Sequence, residues 1–230
     1  MADHISQDDW LPFSTLINNF YSNSGAPVPA DLSLRESKFR SGLERYLSLL
    51  MAKNKEINLT AIDSFSEAVW KHLYDSLLLI HLEPLGKVLD WGSGGGTPGI
   101  PLALFRKNIS EDAGSVVCLD SIAKKMACVQ EFGASLNLAS FSAVVSRGEL
   151  YLEQNKVDTA VMRAVAPPER SIKWVSSHAN RWVFMTGPRG RAEWSNYIPK
   201  MKSKGFQLSY DNKFILPNGL GERIILSFSR

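Results

Sequence analysis

The segment Lys87-Val88-Leu89-Asp90-Trp91-Gly92-Ser93-Gly94-Gly95-Gly96-Thr97-Pro98-Gly99 constrains this chain more than any other. Its first five residues read as a short buried strand that carries a carboxylate near its end. A cluster of glycines follows at once. Pro98 can take the first position of a helix, because the N–H it lacks would be unpaired there in any case. A strand, a glycine turn and a helix in that order place bare backbone amides at a helix N-terminus, where a ligand can come close to the chain. Such turns belong at the carboxyl edge of a parallel sheet.

The texture on either side agrees. Short apolar runs at 87–91, 115–119, 141–145, 157–162 and 181–186 alternate with helical patterns at 98–107, 121–136, 167–178 and 191–203. That alternation predicts an α/β fold with a parallel sheet covered on both faces. Two more strand-like runs, 206–216 and 222–228, flank Pro217-Asn218-Gly219-Leu220-Gly221 and predict an antiparallel hairpin at one edge. Upstream, Leu43, Leu47, Leu50 and Met51 form one stripe of a helix over 34–54, and Ser64 with Glu67 has capping-box spacing for a second helix reaching Leu82. Residues 23–30, Asn-Ser-Gly-Ala-Pro-Val-Pro-Ala, have linker composition. The expected organisation is a loosely attached leader over 1–33, a helical cap over 34–84 and an α/β domain over 85–230.

A chain of 230 residues can bury a core without disulfides or metals. Cys118 and Cys128 have neither metal-ligand nor redox spacing, so they read as reduced buried thiols and no metal is expected. The first ten residues include Asp8 and Asp9 and lack an apolar run, unlike a signal peptide. No apolar run is long enough to span a membrane, and a cytoplasmic location is expected. The net charge of +3 permits a polyanionic partner without requiring one.

Gly94-Gly95-Gly96-Thr97-Pro98-Gly99 formally matches the dinucleotide pattern G-x-G-x-x-G, and a purely structural turn would also fit. Asp90 tilts the choice. A carboxylate at the strand end would repel a pyrophosphate and attract the ammonium of a methionine moiety, directly or through water. The reading that follows is S-adenosylmethionine, with Asp120 at the end of the next strand accepting from ribose hydroxyls. No catalytic residue stands out. Neither cysteine lies in a post-strand loop, where cytosine-C5 methylation would need a nucleophile, and Met162-Arg163-Ala164-Val165-Ala166-Pro167-Pro168 lacks the polar residue and the aromatic of an exocyclic-amine enzyme. A guanine N7 needs neither base nor nucleophile, because its lone pair is free and it carries no proton. Catalysis then reduces to proximity and orientation.

Several motifs in fixed order add to this reading. They are Asn58-Leu59-Thr60-Ala61-Ile62, His72-Leu73-Tyr74-Asp75-Ser76, Asp90 through Pro101, Leu119-Asp120-Ser121 with Lys124-Lys125, and Arg163-Ala164-Val165-Ala166. With them the chain resembles, over roughly residues 40–230, the glucose-inhibited division protein B family of bacterial methyltransferases that modify a guanine N7 of small-subunit ribosomal RNA. The resemblance implies a class I S-adenosylmethionine-dependent methyltransferase, a Rossmann-like seven-stranded sheet with an N-terminal helical cap. Its substrate would be 16S ribosomal RNA or the ribosomal particle; a small-molecule or protein acceptor is the alternative. By the same resemblance Gly92, Gly94 and Thr97 contact the cofactor, Gly148-Glu149 sit by its adenine, and Arg163 closes the site. Trp91 departs from the family, which usually has a small aliphatic residue there, as do Met162 and Thr186.

Five residues are candidate RNA contacts. His72, beside Lys71 on the second helix, would orient the cap with Asp75. Lys124 and Lys125 follow Ser121 in the first turn of a helix, where cations oppose the helix dipole. Arg189 and Arg191 open a basic stretch in which Trp194 and Tyr197 interleave with Lys200, Lys202 and Lys204.

Overall fold

The structure, a computed structural model, describes residues 4–110 and 114–230. Its strands are β1 (Val88–Trp91), β2 (Val116–Asp120), β3 (Phe141–Val145), β4 (Val157–Arg163), β5 (Ala179–Thr186), β6 (Gln207–Ile215) and β7 (Glu222–Ser229). They form one sheet in the order β3-β2-β1-β4-β5-β7-β6. The first five are parallel, while β7 runs antiparallel to both β5 and β6. The chain reverses direction across the sheet between β1 and β4. A crevice opens there beyond the carboxyl ends of the strands.

Strand alternation splits the interior into two cores. Val88, Val116, Cys118, Val161 and Val183 face one layer, and Leu89, Trp91, Val117, Leu119 and Trp182 face the other. The first layer is covered by helices α1 (Gln7–Ser24), α2 (Leu32–Asn54) and α5 (Gly99–Phe105). The segment corresponding to the expected second helix is more varied. It runs as α3 (Phe65–Ala68), a wider π turn over Val69–Tyr74, α4 (Asp75–Leu77) and a tighter turn over Leu78–Leu82. The far side carries α7 (Gly148–Gln154) and α8 (Pro168–Trp174), together with α9 (Gly190–Ser195) and α10 (Ile198–Ser203). α6 (Ala123–Ser135) packs on β2 and β3.

The leader is not loosely attached. Ser6 caps α1 by accepting from Asp9 N at 3.0 Å, and the helix ends at Gly25 in a left-handed conformation. Trp10, Phe13, Leu16, Ile17 and Tyr21 recur at helical spacing and are all buried. Phe13 stacks on Trp10 at 5.1 Å and meets Tyr74 edge-on, and the Tyr21 hydroxyl donates to the Ile109 carbonyl. The linker-like composition of 23–30 is genuine, but it joins two packed helices. Residues 1–3 of the expected leader lie outside the described residues.

The expected helix over 191–203 is two helices, α9 and α10, broken where Pro199 cannot donate within a continuous helix. α7 was hidden in the sequence, since a seven-residue helix shows too little periodicity. Among the described residues no helix is long and apolar enough to cross a membrane.

Candidate functional site

Trp91 ends β1, and the chain turns sharply through Gly92 at a φ of 76°. A Cβ there would meet the Val165 side chain at 2.9 Å, so only glycine serves on both counts. Most of the turn's amides are already bound. Gly92 N and Ser93 N donate to the Leu119 carbonyl, Gly94 N to Asp120 Oδ2 at 3.2 Å, and Gly99 N to Asp90 Oδ2 at 2.8 Å. The glycines therefore give a ligand access to the backbone more than they offer it donors.

A cleft of about 410 Å³ opens over this turn. Gly92, Gly94, Asp120, Gly148 and Glu149 line it, and so does Lys125. The Asp120 oxygens accept from Gly94 N and Ile122 N, one bond each, which leaves lone pairs on both for a vicinal diol. Trp91 and Trp174 were not foreseen here. They stack at 5.4 Å and 26° and form part of the cleft wall. The departure at position 91 has a structural counterpart: a Cβ on Gly148 would lie 2.0 Å from the Trp91 indole, so the bulky residue requires glycine opposite.

Three expected cofactor contacts sit elsewhere. Asp90 lies on the capped face of the sheet, 1% exposed, beneath the start of α5. Burial raises its pKa to about 7, opposed by the bond from Gly99 N. It supports the turn from below and does not line the cleft. Thr97 is buried and accepts a short hydrogen bond from Arg163 Nη2. Arg163 points to the cap and away from the cleft. Its Nη1 donates to the Lys71 carbonyl at 2.9 Å and to Asp75 Oδ2 at 3.1 Å. The alternation of β4 decides this direction, which the linear sequence does not reveal.

Asp75 is shared. Arg223 Nε, from the start of β7, stands 3.3 Å from its Oδ1. Nothing in the sequence around Arg223 marks it; antiparallel pairing of Ile224 with Thr186 delivers it to this edge. Lys71, His72, Asp75, Arg163 and Arg223 line a second cavity of about 300 Å³. Ala164 lines both cavities, in a left-handed conformation at φ 54°. His72 Nε2 is 2.8 Å from Thr60 Oγ1, and burial, helped by Arg163 and Lys71, lowers its pKa to about 3.

The remaining candidates lie outside both cavities. Lys124 is exposed beside Lys125. Arg189 is exposed, 3.9 Å from Glu193, whereas Arg191 is bound to Asp211 at 2.6 Å. Trp194 is a core residue packed on Phe184, so it cannot stack on a base.

A glycine turn after β1 and an acid at the end of β2, facing one cleft at the switch point of a sheet with this strand order, define the fold of the class I methyltransferases. The solved structure of a ribosomal protein L11 methylase from Lactobacillus delbrueckii subsp. bulgaricus shares the fold, with a TM-score of 0.50 and 20% identity over 68% of this chain and 77% of that one. Residues 40–215 match the family described as rRNA small subunit methyltransferase G, and the chain belongs to that family. A relative from Solibacter usitatus bearing that name is 32% identical over 204 residues, which cover 86% of this chain and 94% of the relative. One from Anaeromyxobacter dehalogenans is 45% identical over 139 residues, 59% of this chain. That alignment spans 61% of the Anaeromyxobacter protein's length.

Proposed function

We propose that this chain transfers the methyl group of S-adenosylmethionine to N7 of a guanine in 16S ribosomal RNA, naked or within the small-subunit particle, in the cytoplasm. One observation carries the reading: the cleft over the glycine turn adjoins a second, cationic cavity, with Ala164 as their common wall. Cofactor and acceptor thus have adjacent places. Membership of a family described as small-subunit rRNA methyltransferases supports the acceptor class.

The cleft residues fit the cofactor. Gly92 and Gly94 leave room beside the backbone, Asp120 would accept from the ribose, and Gly148 and Glu149 flank the adenine side. Bound there, S-adenosylmethionine supplies an electrophilic methyl. The chain's own task is to hold a lone-pair donor in line with it and to exclude water. No general base is required, because N7 gives up no proton. Lys124, Lys125 and Arg189 would hold RNA phosphates, with Arg191 bound to Asp211 and His72 contacting the RNA from the cap as a neutral ring.

The test is transfer of tritiated methyl from S-adenosylmethionine into small-subunit RNA, offered naked and as particles. Label recovered as 7-methylguanine is expected. Tight cofactor binding without any label in either substrate would sink the assignment.

A further inference from the structure

We propose that the second cavity holds the acceptor nucleotide, with His72 Nδ1 bonding the edge of its base and Arg223 holding its phosphate. This rests on the reading above that the acceptor is an RNA guanine.

The first argument is hydrogen-bond accounting. Among the described residues three buried side-chain atoms lack a hydrogen-bond partner; Asp75 Oδ1 is held by the Arg223 ion pair at 3.3 Å, whereas His72 Nδ1, also on a residue of this cavity, has no charged partner. His72 is more than nine-tenths buried. Leaving such an atom unpaired is unfavourable, and its place at the cavity indicates a partner that arrives with the ligand. A neutral imidazole nitrogen can complement either a carbonyl or an N–H. A guanine edge, with a carbonyl beside ring and exocyclic N–H groups, offers both.

The second argument is charge. Arg163 and Arg223 share the single carboxylate of Asp75, and Lys71 is already bound to Glu67. One positive charge is left over, which suits a phosphodiester. His72 adds none, because its ring is neutral. That suits N7 attack, which leaves the purine with a positive charge. The third argument is position: Ala164 lines both cavities, so a base held here lies next to the cofactor cleft.

The experiment compares His72→Gln with His72→Asn. An Asn amide falls near imidazole Nδ1, whereas a Gln amide falls near Nε2 and can keep only the Thr60 bond. Affinity for S-adenosylhomocysteine, measured by calorimetry, should be unchanged in both and reports folding. H72Q should lose about tenfold in kcat/KM for RNA, the worth of one hydrogen bond, and about threefold or more beyond whatever H72N loses. Wild-type kinetics in H72Q, or equal losses in the two variants, would overturn the proposal. Should H72Q fail to bind cofactor, Arg223→Gln decides: a higher KM for RNA and a salt slope reduced by about one are expected, and an unchanged KM and slope overturn it. Guanosine monophosphate at millimolar concentration separates this inference from the function itself. If wild type labels no RNA yet binds the nucleotide in a His72-dependent way, the RNA assignment fails and the pocket stands. If it does neither, both fail.

Discussion

Arg163 Nη1 lies 3.1 Å from Asp75 Oδ2, while its Nη2 reaches Thr97 in the glycine turn. The pair joins the end of β4 to the helical cap, and the same guanidinium also binds the loop beneath the cofactor cleft. Asp75 is 4% exposed at its side chain and also faces Arg223, so one carboxylate holds two cations beside the acceptor cavity.

Asp75→Ala leaves those two guanidiniums without a counter-charge. The expected loss is about 3 kcal/mol of unfolding free energy, since removing one partner of a buried ion pair strands the other. Urea unfolding monitored by circular dichroism measures it. A loss near zero would show that the pair is fully solvated.

Gly148 and Trp91 should behave as a coupled pair. Gly148→Ala drives a methyl into the indole and is expected to destabilise the chain by about 1–3 kcal/mol. In the Trp91→Leu background the same change should be nearly neutral. A double-mutant cycle on melting curves checks this, and additive effects would refute the coupling.

His72 sets an acid limit to stability. Its pKa is about 3 in the folded chain against an ordinary 6.5. Between those values the unfolded chain binds a proton that the folded chain refuses, so stability from this residue is full above 6.5 and is lost as pH falls toward 3. Asp90 works the other way, from 3.8 to about 7, and its contribution is lost as pH rises through that range. In a comparison with H72N the Asp90 effect cancels. From pH 7.5 to pH 5 the wild type should lose about 2 kcal/mol more unfolding free energy than H72N. Parallel pH profiles would mean that His72 is solvated and titrates normally.

Phe13→Ala tests the N-terminal helix. Phe13 is 1% exposed between Trp10 and Tyr74, and truncation should cost about 3–5 kcal/mol. A mobile leader would show almost no change.

Much of this protein was written in local patterns. Strand alternation, the glycine turn and the final hairpin predict a seven-stranded sheet, because period-2 and period-3.6 patterning are properties of short segments. The same locality put Gly92, Gly94, Asp120, Gly148 and Glu149 at one cleft, since each follows or ends a strand on the same edge. What failed depended on direction or distance. Asp90 lies one residue before the end of β1 and Arg163 ends the neighbouring β4, but packing of α5 buries the first, and the cap draws the second away from the cleft. Trp174, distant from the glycine turn in the chain, joins the cleft wall stacked on Trp91.

The sequence by itself therefore determined the order of elements, the sheet and the position of the turn, all of which follow from backbone preference and local burial. Only the tertiary structure decided that Arg223 joins Arg163 at Asp75. Those residues are far apart in the chain, and an antiparallel register together with a packed helical cap brings them within ion-pair distance.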